Sequence, residues 1–411
     1  MHPAHVSRAQ KRDDISALKF GIIYGANASG KSNVIKAVAL LQQIALGRFP
    51  IGDFKPFKLV KPIKPVSKIE IEFKTDGRYF AYGVEFSANG IKEEWLYEIN
   101  ARSDKKIFTR KTDSDGNQFE FGDIHGDNSV GQFVKFLGEG TPAKRSFLAE
   151  YIERNGKGLC PIKVAYQWFA TGLRIIFPGT RFRGLSFNAE QDEKFHESTR
   201  RLLQYFNTGI VDVRRFPVQS KEETNLPERL LEKIISTATP GRTALVAAPE
   251  SNECFFFEFK EDGTYTIFKQ KAVHRNDSND EVVFEMDEES DGSIRLLDFI
   301  PMLIDLSQSE SDYMIDELDR SMHPLLSQKL IECYLQKLST EQDTQLIIST
   351  HECNLLNLDL IRADEVWFVE KDKDGASKLI SLAEYKPREN VQKGYFQGRY
   401  GAIPTFGELN K

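Results

Sequence analysis

The sequence predicts a mixed α/β fold in which the two halves of a core sheet come from opposite ends of the chain. Near the start, a short apolar strand runs into a glycine-rich loop and an amphipathic helix, and from residue 290 onward strands and helices alternate again. Between these regions the pattern is that of antiparallel strands and a helical lobe. We therefore expect residues 1–68 and 290–411 to form the core halves, and residues 69–289 to form a β subdomain with a helical insertion.

The composition of this 411-residue chain is that of a globular protein, with 40% hydrophobic and 28% charged residues. No apolar run reaches the roughly eighteen residues that a membrane span needs, and the start lacks a secretory signal, so we expect a cytoplasmic protein without a membrane contact. The net charge of −6 argues against a large nucleic-acid-binding surface but leaves a local basic groove open. Neither a disulfide framework nor a zinc site is indicated by the four scattered cysteines, which are Cys160, Cys254, Cys333 and Cys353.

The first element is a strand, Phe20–Tyr24, followed directly by a loop that matches G-x-x-x-x-G-K-S in full. Such a loop turns backbone N–H groups inward to hold the phosphates of ATP at the start of a helix. Lys31 is expected to neutralise the β and γ phosphates, and the hydroxyl of Ser32 to bind Mg²⁺. The predicted nucleotide-binding residues are Gly25, Ala26, Asn27, Ala28, Ser29, Gly30, Lys31, Ser32 and Asn33.

The periodicity of apolar residues changes twice in the middle of the chain. Residues 69–100 alternate apolar and polar side chains, with Asp76-Gly77 and Asn89-Gly90 expected as hairpin turns. Residues 190–237 have helical periodicity with breaks near 207–209 and at Pro217, and residues 255–273 return to strand character. This part predicts an antiparallel meander and an inserted helical lobe.

The last part predicts a compact α/β arrangement. Its expected elements are a helix at 294–306, a strand ending at Asp316, a helix opening at Pro324, and strands at 345–350 and 365–370. Alone, an apolar strand ending in Asp316-Glu317 is common and usually marks a strand that ends in solvent. Together with the phosphate-binding loop, it predicts that Asp316 holds Mg²⁺ through water and that Glu317 orients or deprotonates the attacking water.

Two further positions are weaker candidates. His351 follows a predicted strand, where a side chain points into the crevice in which open α/β sheets bind ligands, so it is expected to sense the γ-phosphate; a capping or surface histidine is the alternative. Ser290 and Gly292 open a helix, and small residues there make an anion site, here aimed at a nucleotide held by a second copy of the chain. The alternative is a plain helix cap by Ser290 or Ser293.

The order of these motifs resembles that of ABC-type ATPases, and implies a P-loop ATPase head with an antiparallel β subdomain and an inserted helical lobe. Within that class, residues 23–33, 315–324 and 349–351 look like the AAA15 group of bacterial anti-phage defence systems, which includes RloA-like and PARIS-type (AriA-like) ATPases. The resemblance implies a dimer or higher oligomer around two Mg-ATP molecules, with Glu317 as catalytic base and His351 as switch. It also implies a separately encoded Toprim-like or other nuclease effector, and a nucleic acid or phage protein as trigger.

Other functions remain open. A transporter ATPase is disfavoured because 285 positions separate Lys31 from Asp316 (316 − 31), many of them with strand character. A RecF-like DNA-repair ATPase stays the main competitor, and a scaffold that binds ATP without hydrolysing it is disfavoured by the intact Glu317. The acidic run at 370–375 is better interpreted as a hairpin turn at Asp374-Gly375 than as a second metal site.

Overall fold

The computed structural model describes residues 17–48, 56–59, 66–100, 102–248, 251–306, 309–338, 343–387 and 390–403. These residues form two compact units. The first contains the described residues within 1–178, 309–318 and 338–411, and the second contains those within 179–308 and 319–337. In chain order the strands and α-helices are β1 Phe20–Tyr24, α1 Lys31–Ala45, β2 Ser67–Thr75, β3 Arg78–Ser87, β4 Gly90–Ile99, β5 Lys105–Asp113, β6 Gly116–Phe121, α2 Asn128–Glu139, α3 Phe147–Glu153, α4 Cys160–Gln167, β7 Leu173–Ile176, α5 Leu185–Gln191, α6 Glu193–Phe206, β8 Asp212–Pro217, α7 Glu228–Ser236, β9 Thr243–Ala247, β10 Cys254–Phe259, β11 Tyr265–Arg275, β12 Glu281–Glu285, α8 Asp291–Asp305, β13 Asp312–Ile315, α9 Pro324–Lys337, β14 Gln345–Ser349, β15 Val366–Lys371, β16 Ser377–Ser381 and α10 Val391–Phe396.

The core sheet of the first unit has six strands in the order β16-β15-β1-β14-β13-β7. Every neighbouring pair is parallel except β15 and β16, which form an antiparallel hairpin. Ile22 of β1 pairs with Ile348 on one side and Val366 on the other, and all five residues of β1 are buried. A continuous apolar strand of this kind suits the centre of a parallel sheet, because both of its faces are covered. Strands from both ends of the chain thus share this sheet, and its edge strand β7, at 173–176, comes from the middle of the chain.

The second sheet of the first unit is the predicted antiparallel meander, with the order β2-β3-β4-β5-β6. Asp76 and Gly77 join β2 to β3 with φ of 50° and 67°, as a tight hairpin turn requires. The next turn lies one residue earlier than predicted, at Ala88 and Asn89, because β4 already begins at Gly90. Side chains of this sheet and of α1 form one apolar cluster. It includes Ile35 and Leu41 of α1 and Phe80, Tyr82 and Phe108 of the sheet.

The second unit combines helices α5–α9 with a five-stranded antiparallel sheet. Its strand order is β12-β11-β10-β9, with β8 also paired to β11. The helical interpretation of residues 190–237 is correct for α6 and α7 but wrong for Asp212–Pro217, which forms β8. Pairing with residues 268–273 of β11 gives this segment its extended form.

The fold class predicted from the sequence is confirmed, since a mixed α/β core carries an antiparallel β subdomain and an inserted lobe with helices. The three-part division at residues 68 and 290 stays a prediction. None of the helices in the described ranges combines the length and apolar character needed to cross a membrane.

Candidate functional site

The glycine-rich loop follows β1 and has the backbone shape of a phosphate-binding loop. Ala28 and Gly30 have φ of 62° and 115°, both in the left-handed region that favours glycine. A Cβ atom at Gly25 would lie 2.8 Å from the carbonyl oxygen of Val369 in β15, so only glycine fits at the start of the loop. These constraints explain why glycine stands at both ends of the motif.

Lys31 is buried inside the curl of its own loop. Its ammonium nitrogen donates hydrogen bonds to the carbonyl oxygens of Gly25, at 2.7 Å, and Ala26, at 3.1 Å. The same nitrogen lies 3.5 Å from Nδ1 of His351. The predicted phosphate-binding lysine and the predicted switch histidine therefore lie together in this structure.

The residues of the loop fit a bound phosphate chain. The hydroxyl of Ser29 is buried, and within the described part of the chain it has no hydrogen-bond partner. Gly30 precedes the first turn of α1, and no side chain caps that turn. Uncapped N–H groups at a helix start favour an anion, and a phosphate would supply the missing acceptors.

Asp316 and Glu317 directly follow the carboxyl end of β13. Asp316 is buried, and its backbone N–H donates to the carbonyl of Ile176 in β7 at 2.9 Å. Glu317 is half-buried and has φ of 51°, a left-handed conformation that is uncommon for a residue with a side chain. Both residues are held from β14: Ser349 Oγ donates to Asp316 Oδ1 at 2.7 Å and accepts from the N–H of Glu317 at 2.9 Å.

His351 lies just beyond β14 and is exposed. Two hydrogen bonds join the loop that carries it to β1. The Tyr24 hydroxyl donates to the carbonyl oxygen of Glu352 at 3.2 Å, and the N–H of Thr350 donates to the carbonyl oxygen of Ile23 at 3.1 Å. The carboxyl ends of β1, β14 and β13 thus place Lys31, His351 and the Asp316-Glu317 pair along one edge of the sheet.

Ser290 and Gly292 belong to the second unit, at the start of α8. Ser290 caps this helix, since its Oγ accepts from the N–H of Ser293 at 3.1 Å. A Cβ atom at Gly292 would lie 2.8 Å from the carbonyl oxygen of Ser321, so the helix start packs closely on backbone. Within one chain, Ser290 therefore acts as a helix cap. Binding of Ser290 and Gly292 to a nucleotide held by a second copy stays a prediction.

Two serines at the site were not assigned roles from the sequence. Ser349 is the residue that binds both Asp316 and Glu317, and Ser377 of β16 donates from Oγ to the carbonyl of Ser29 in the phosphate loop at 2.6 Å. A polar residue directly after the apolar run at 346–348, two positions before His351, was the available signal for Ser349. Nothing in the local sequence marks Ser377, which depends on the β15–β16 hairpin.

Comparison with known proteins gives a family. Residues 21–149 and 175–359 match the family model AAA_21, described as "AAA domain, putative AbiEii toxin, Type IV TA system". This match covers most of the chain and both halves of the core sheet, so the protein belongs to this family of P-loop ATPases. No curated protein matches the sequence.

Several solved structures resemble the chain at a low level. An Smc head bound to the C-winged helix domain of ScpA is 14% identical, with 92% of this chain and 94% of that chain covered and a TM-score of 0.41. The SMC head domain from Thermotoga maritima is 12% identical, with coverage of 92% and 97% and a TM-score of 0.38. An Smc head domain with an extended coiled coil, bound to a domain of ScpA from Pyrococcus furiosus, is 14% identical, with coverage of 94% and 95% and a TM-score of 0.32. Similarity at this level carries no functional information.

Proposed function

We propose that the chain is a Mg²⁺-dependent ATPase that controls a separately encoded nuclease or toxin effector in a bacterial anti-phage defence system. The observation that carries the ATPase part is the alignment of Lys31, His351, Asp316 and Glu317 along the carboxyl ends of three adjacent parallel strands. A phosphate chain placed on the loop after β1 would face all of them.

Each residue has a role that follows from its chemistry. Backbone N–H groups from Gly25 to Ser32, with the hydroxyl of Ser29, bind phosphate oxygens, and Lys31 exchanges its two carbonyl partners for the β and γ phosphates. Ser32 and Asp316 would hold Mg²⁺, which when bound neutralises phosphate charge as the bond to the γ-phosphate breaks. Glu317 takes a proton from the attacking water, and His351 donates a hydrogen bond to the γ-phosphate.

The site is proposed to be completed by a second copy of the chain. The start of α8, with Ser290 and Gly292, would bring further N–H donors to the γ-phosphate of the partner's nucleotide. In a two-fold dimer this arrangement gives two shared sites. ATP then acts both as substrate and as the link between the two chains.

The defence role is supported by two resemblances. The family model that covers most of the chain carries a toxin of a type IV toxin–antitoxin system in its description. The motifs at 23–33, 315–324 and 349–351 are similar to those of the AAA15 group, whose members act with separate effectors. On this proposal ATP turnover reports the state of the chain to a Toprim-like or other nuclease partner, and a phage protein or nucleic acid acts as trigger.

Two assays test the proposal. Phosphate release from Mg-ATP is expected from the wild-type chain and not from the Lys31→Ala variant. Co-expression with the product of the neighbouring reading frame, followed by pull-down, is expected to yield a stable complex. Repeated failure to co-purify, together with ATP turnover that double-stranded DNA ends stimulate, would instead support a RecF-like repair function.

A further inference from the structure

Ser349 occupies a central position between two neighbouring strands of the site. It is the last residue of β14, is fully buried, and pairs in register with Ile23 of β1. Its hydroxyl contacts the Asp316-Glu317 pair, which directly follows β13, the strand on the other side of β14. Ser349 therefore connects the phosphate-loop strand to the acidic pair.

The hydrogen bonds of Ser349 have a fixed direction. A hydroxyl has one hydrogen to donate, and this one goes to Asp316 Oδ1 at 2.7 Å. A lone pair of the same oxygen accepts the backbone N–H of Glu317 at 2.9 Å, and the Ser349 carbonyl accepts the N–H of Leu318 at 3.0 Å. One residue thus orients three consecutive positions of the acidic segment.

The backbone of Glu317 shows why such support is needed. Its φ of 51° is unfavourable for a residue with a Cβ, and such conformations persist only where surrounding contacts fix them. The bond from Glu317 N–H to Ser349 Oγ is one of these contacts, and it determines where the Glu317 side chain leaves the backbone. The bond to Asp316 Oδ1 likewise fixes the rotation of that carboxylate.

We propose that Ser349 is a positioning residue for ATP hydrolysis, whose hydroxyl orients the Asp316 carboxylate toward the metal and the Glu317 backbone toward the attacking water. This inference rests on the proposed ATPase function and adds a residue to it. Groups that orient metal ligands and catalytic side chains typically change metal affinity or activity about 10–100-fold when they are removed.

The test compares substitutions at Ser349 with one at a second buried serine, which directly precedes a strand of the same core sheet. Ser349→Ala removes the hydroxyl, Ser349→Cys replaces this strong donor with a slightly larger and weaker one, and Ser349→Thr keeps the hydroxyl. Ser311→Ala is the control, because Ser311 is a buried serine next to the opposite end of β13 whose Oγ pairs with Ser309 Oγ at 2.8 Å. For each variant, kcat, KM for ATP, the Mg²⁺ concentration for half-maximal rate and the unfolding midpoint are measured.

The expected result is a loss of kcat of about 10–100-fold in Ser349→Ala and Ser349→Cys, with a higher Mg²⁺ requirement and little change in ATP binding without Mg²⁺. For Ser349→Thr and Ser311→Ala, we expect kcat, the Mg²⁺ requirement and ATP binding without Mg²⁺ to stay close to the wild-type values. A purely structural role would lower the unfolding midpoint and leave kcat per nucleotide-binding site and the Mg²⁺ requirement unchanged.

Wild-type kinetics in folded Ser349→Ala or Ser349→Cys would overturn the inference, and so would a folded Ser349→Thr as impaired as Ser349→Ala. The failure of the ATPase proposal is distinguishable, because it would show as an absence of Lys31-dependent turnover in the wild-type chain. In that case the Mg²⁺ dependence of ATP binding still tests the inference: an unchanged dependence in Ser349→Ala would overturn it.

Discussion

Lys31 Nζ and His351 Nδ1 lie 3.5 Å apart, although 320 positions separate the two residues in the chain. An ammonium group can only donate, so a hydrogen bond between the two residues uses Nδ1 of His351 as the acceptor. The two residues that are proposed to bind the γ-phosphate therefore contact each other in this structure. The ammonium group of Lys31 also donates to the carbonyl oxygens of Gly25 and Ala26, and its proposed bonds to phosphate would take the place of these contacts.

Lys31→Ala is expected to abolish ATP binding, whereas Glu317→Gln should preserve binding and lower kcat by roughly 10²–10⁴-fold. The reason is that Lys31 pairs with phosphates in the ground state, while Glu317 acts on the attacking water. Equilibrium binding of a fluorescent ATP analogue and single-turnover hydrolysis separate the two effects. Wild-type turnover in Glu317→Gln would remove this residue from its assigned role.

Mixing two inactive variants tests the shared site. Lys31→Ala and Asp291→Arg chains should each be inactive alone, and a 1:1 mixture should recover about a quarter of wild-type activity. The physical reason is that half of the dimers are mixed and each mixed dimer has one intact site. Asp291 is exposed at the start of α8, so the arginine blocks that surface without the backbone contact that a Cβ at Gly292 would make with Ser321.

Strict coupling between the two sites could hide this recovery. Sedimentation of Glu317→Gln with and without Mg-ATP is therefore the companion measurement, and it should show ATP-dependent dimers. No recovery in the mixture, combined with a monomeric ATP-loaded Glu317→Gln chain, excludes the shared arrangement.

Asp312, at the amino end of β13, is expected to make the stability of the fold depend on pH. Burial raises the pKa of its carboxyl to about 7, and the group accepts a hydrogen bond from Trp168 Nε1 at 2.8 Å. Because the folded pKa lies above the ordinary value of 3.8, the unfolded chain loses this proton first as pH rises. The contribution of Asp312 therefore lowers the free energy of unfolding progressively between about pH 4 and 7.

Asp312→Asn removes this titration and keeps an acceptor for Trp168. Relative to wild type, the variant should gain stability with rising pH, reaching a few kcal/mol by about pH 8, and gain little at about pH 4. Urea unfolding across this range measures the difference. Asp359→Asn, which changes an exposed aspartate, is the control and should show no such trend. A gain that does not depend on pH would contradict the assignment.

Among the charged residues of the meander, Glu94 is expected to cause the largest loss in the free energy of unfolding when its charge is removed. Its carboxylate is fully buried, accepts the N–H groups of Phe147 and Leu148 at the start of α3, and lies 3.6 Å from the buried guanidinium of Arg110. Burial raises the pKa of Glu94 and lowers that of Arg110, because each charge is held away from water.

Glu94→Gln should therefore destabilise the fold by about 3–5 kcal/mol, since it leaves Arg110 buried without its charged partner. The matched control is Glu93→Gln, which removes the exposed pair with Lys111 from the same strand and should cost less than about 1 kcal/mol. Urea unfolding of both variants measures the difference. Similar losses in the two would mean that the buried pair has no special role.

The elements predicted correctly from the sequence are those whose signal is local. The strand Phe20–Tyr24 is apolar throughout, and the glycine motif constrains its own backbone. The strand β8 was missed because its central Arg214-Arg215 interrupts any apolar pattern, and its extended form comes from pairing with β11. The shifted second hairpin turn accompanies a register irregularity between Glu85 and Phe86, which no turn motif announces.

The site shows the same limit at the level of single residues. Lys31, Asp316, Glu317 and His351 each stand in a recognisable local context, so their convergence could be predicted. The contact from Ser349 to Asp316 joins positions on two strands, and the contact from Ser377 to Ser29 joins a distant hairpin to the loop. Such contacts depend on strand order and register, which the sequence of either partner alone does not carry.

The position of β1 between β14 and β15 has a consequence for folding during synthesis. Its neighbours at 345–349 and 366–371 are made more than three hundred residues later, and closing so long a loop costs roughly 5 kcal/mol of chain entropy. The antiparallel meander, whose strands are joined by short turns, can form while the ribosome is still extending the chain. The strand β1 can pair with its neighbours only after they have been synthesised. A chain interrupted before residue 345 would therefore contain the phosphate loop but lack the strands that position it, and it would hydrolyse no ATP.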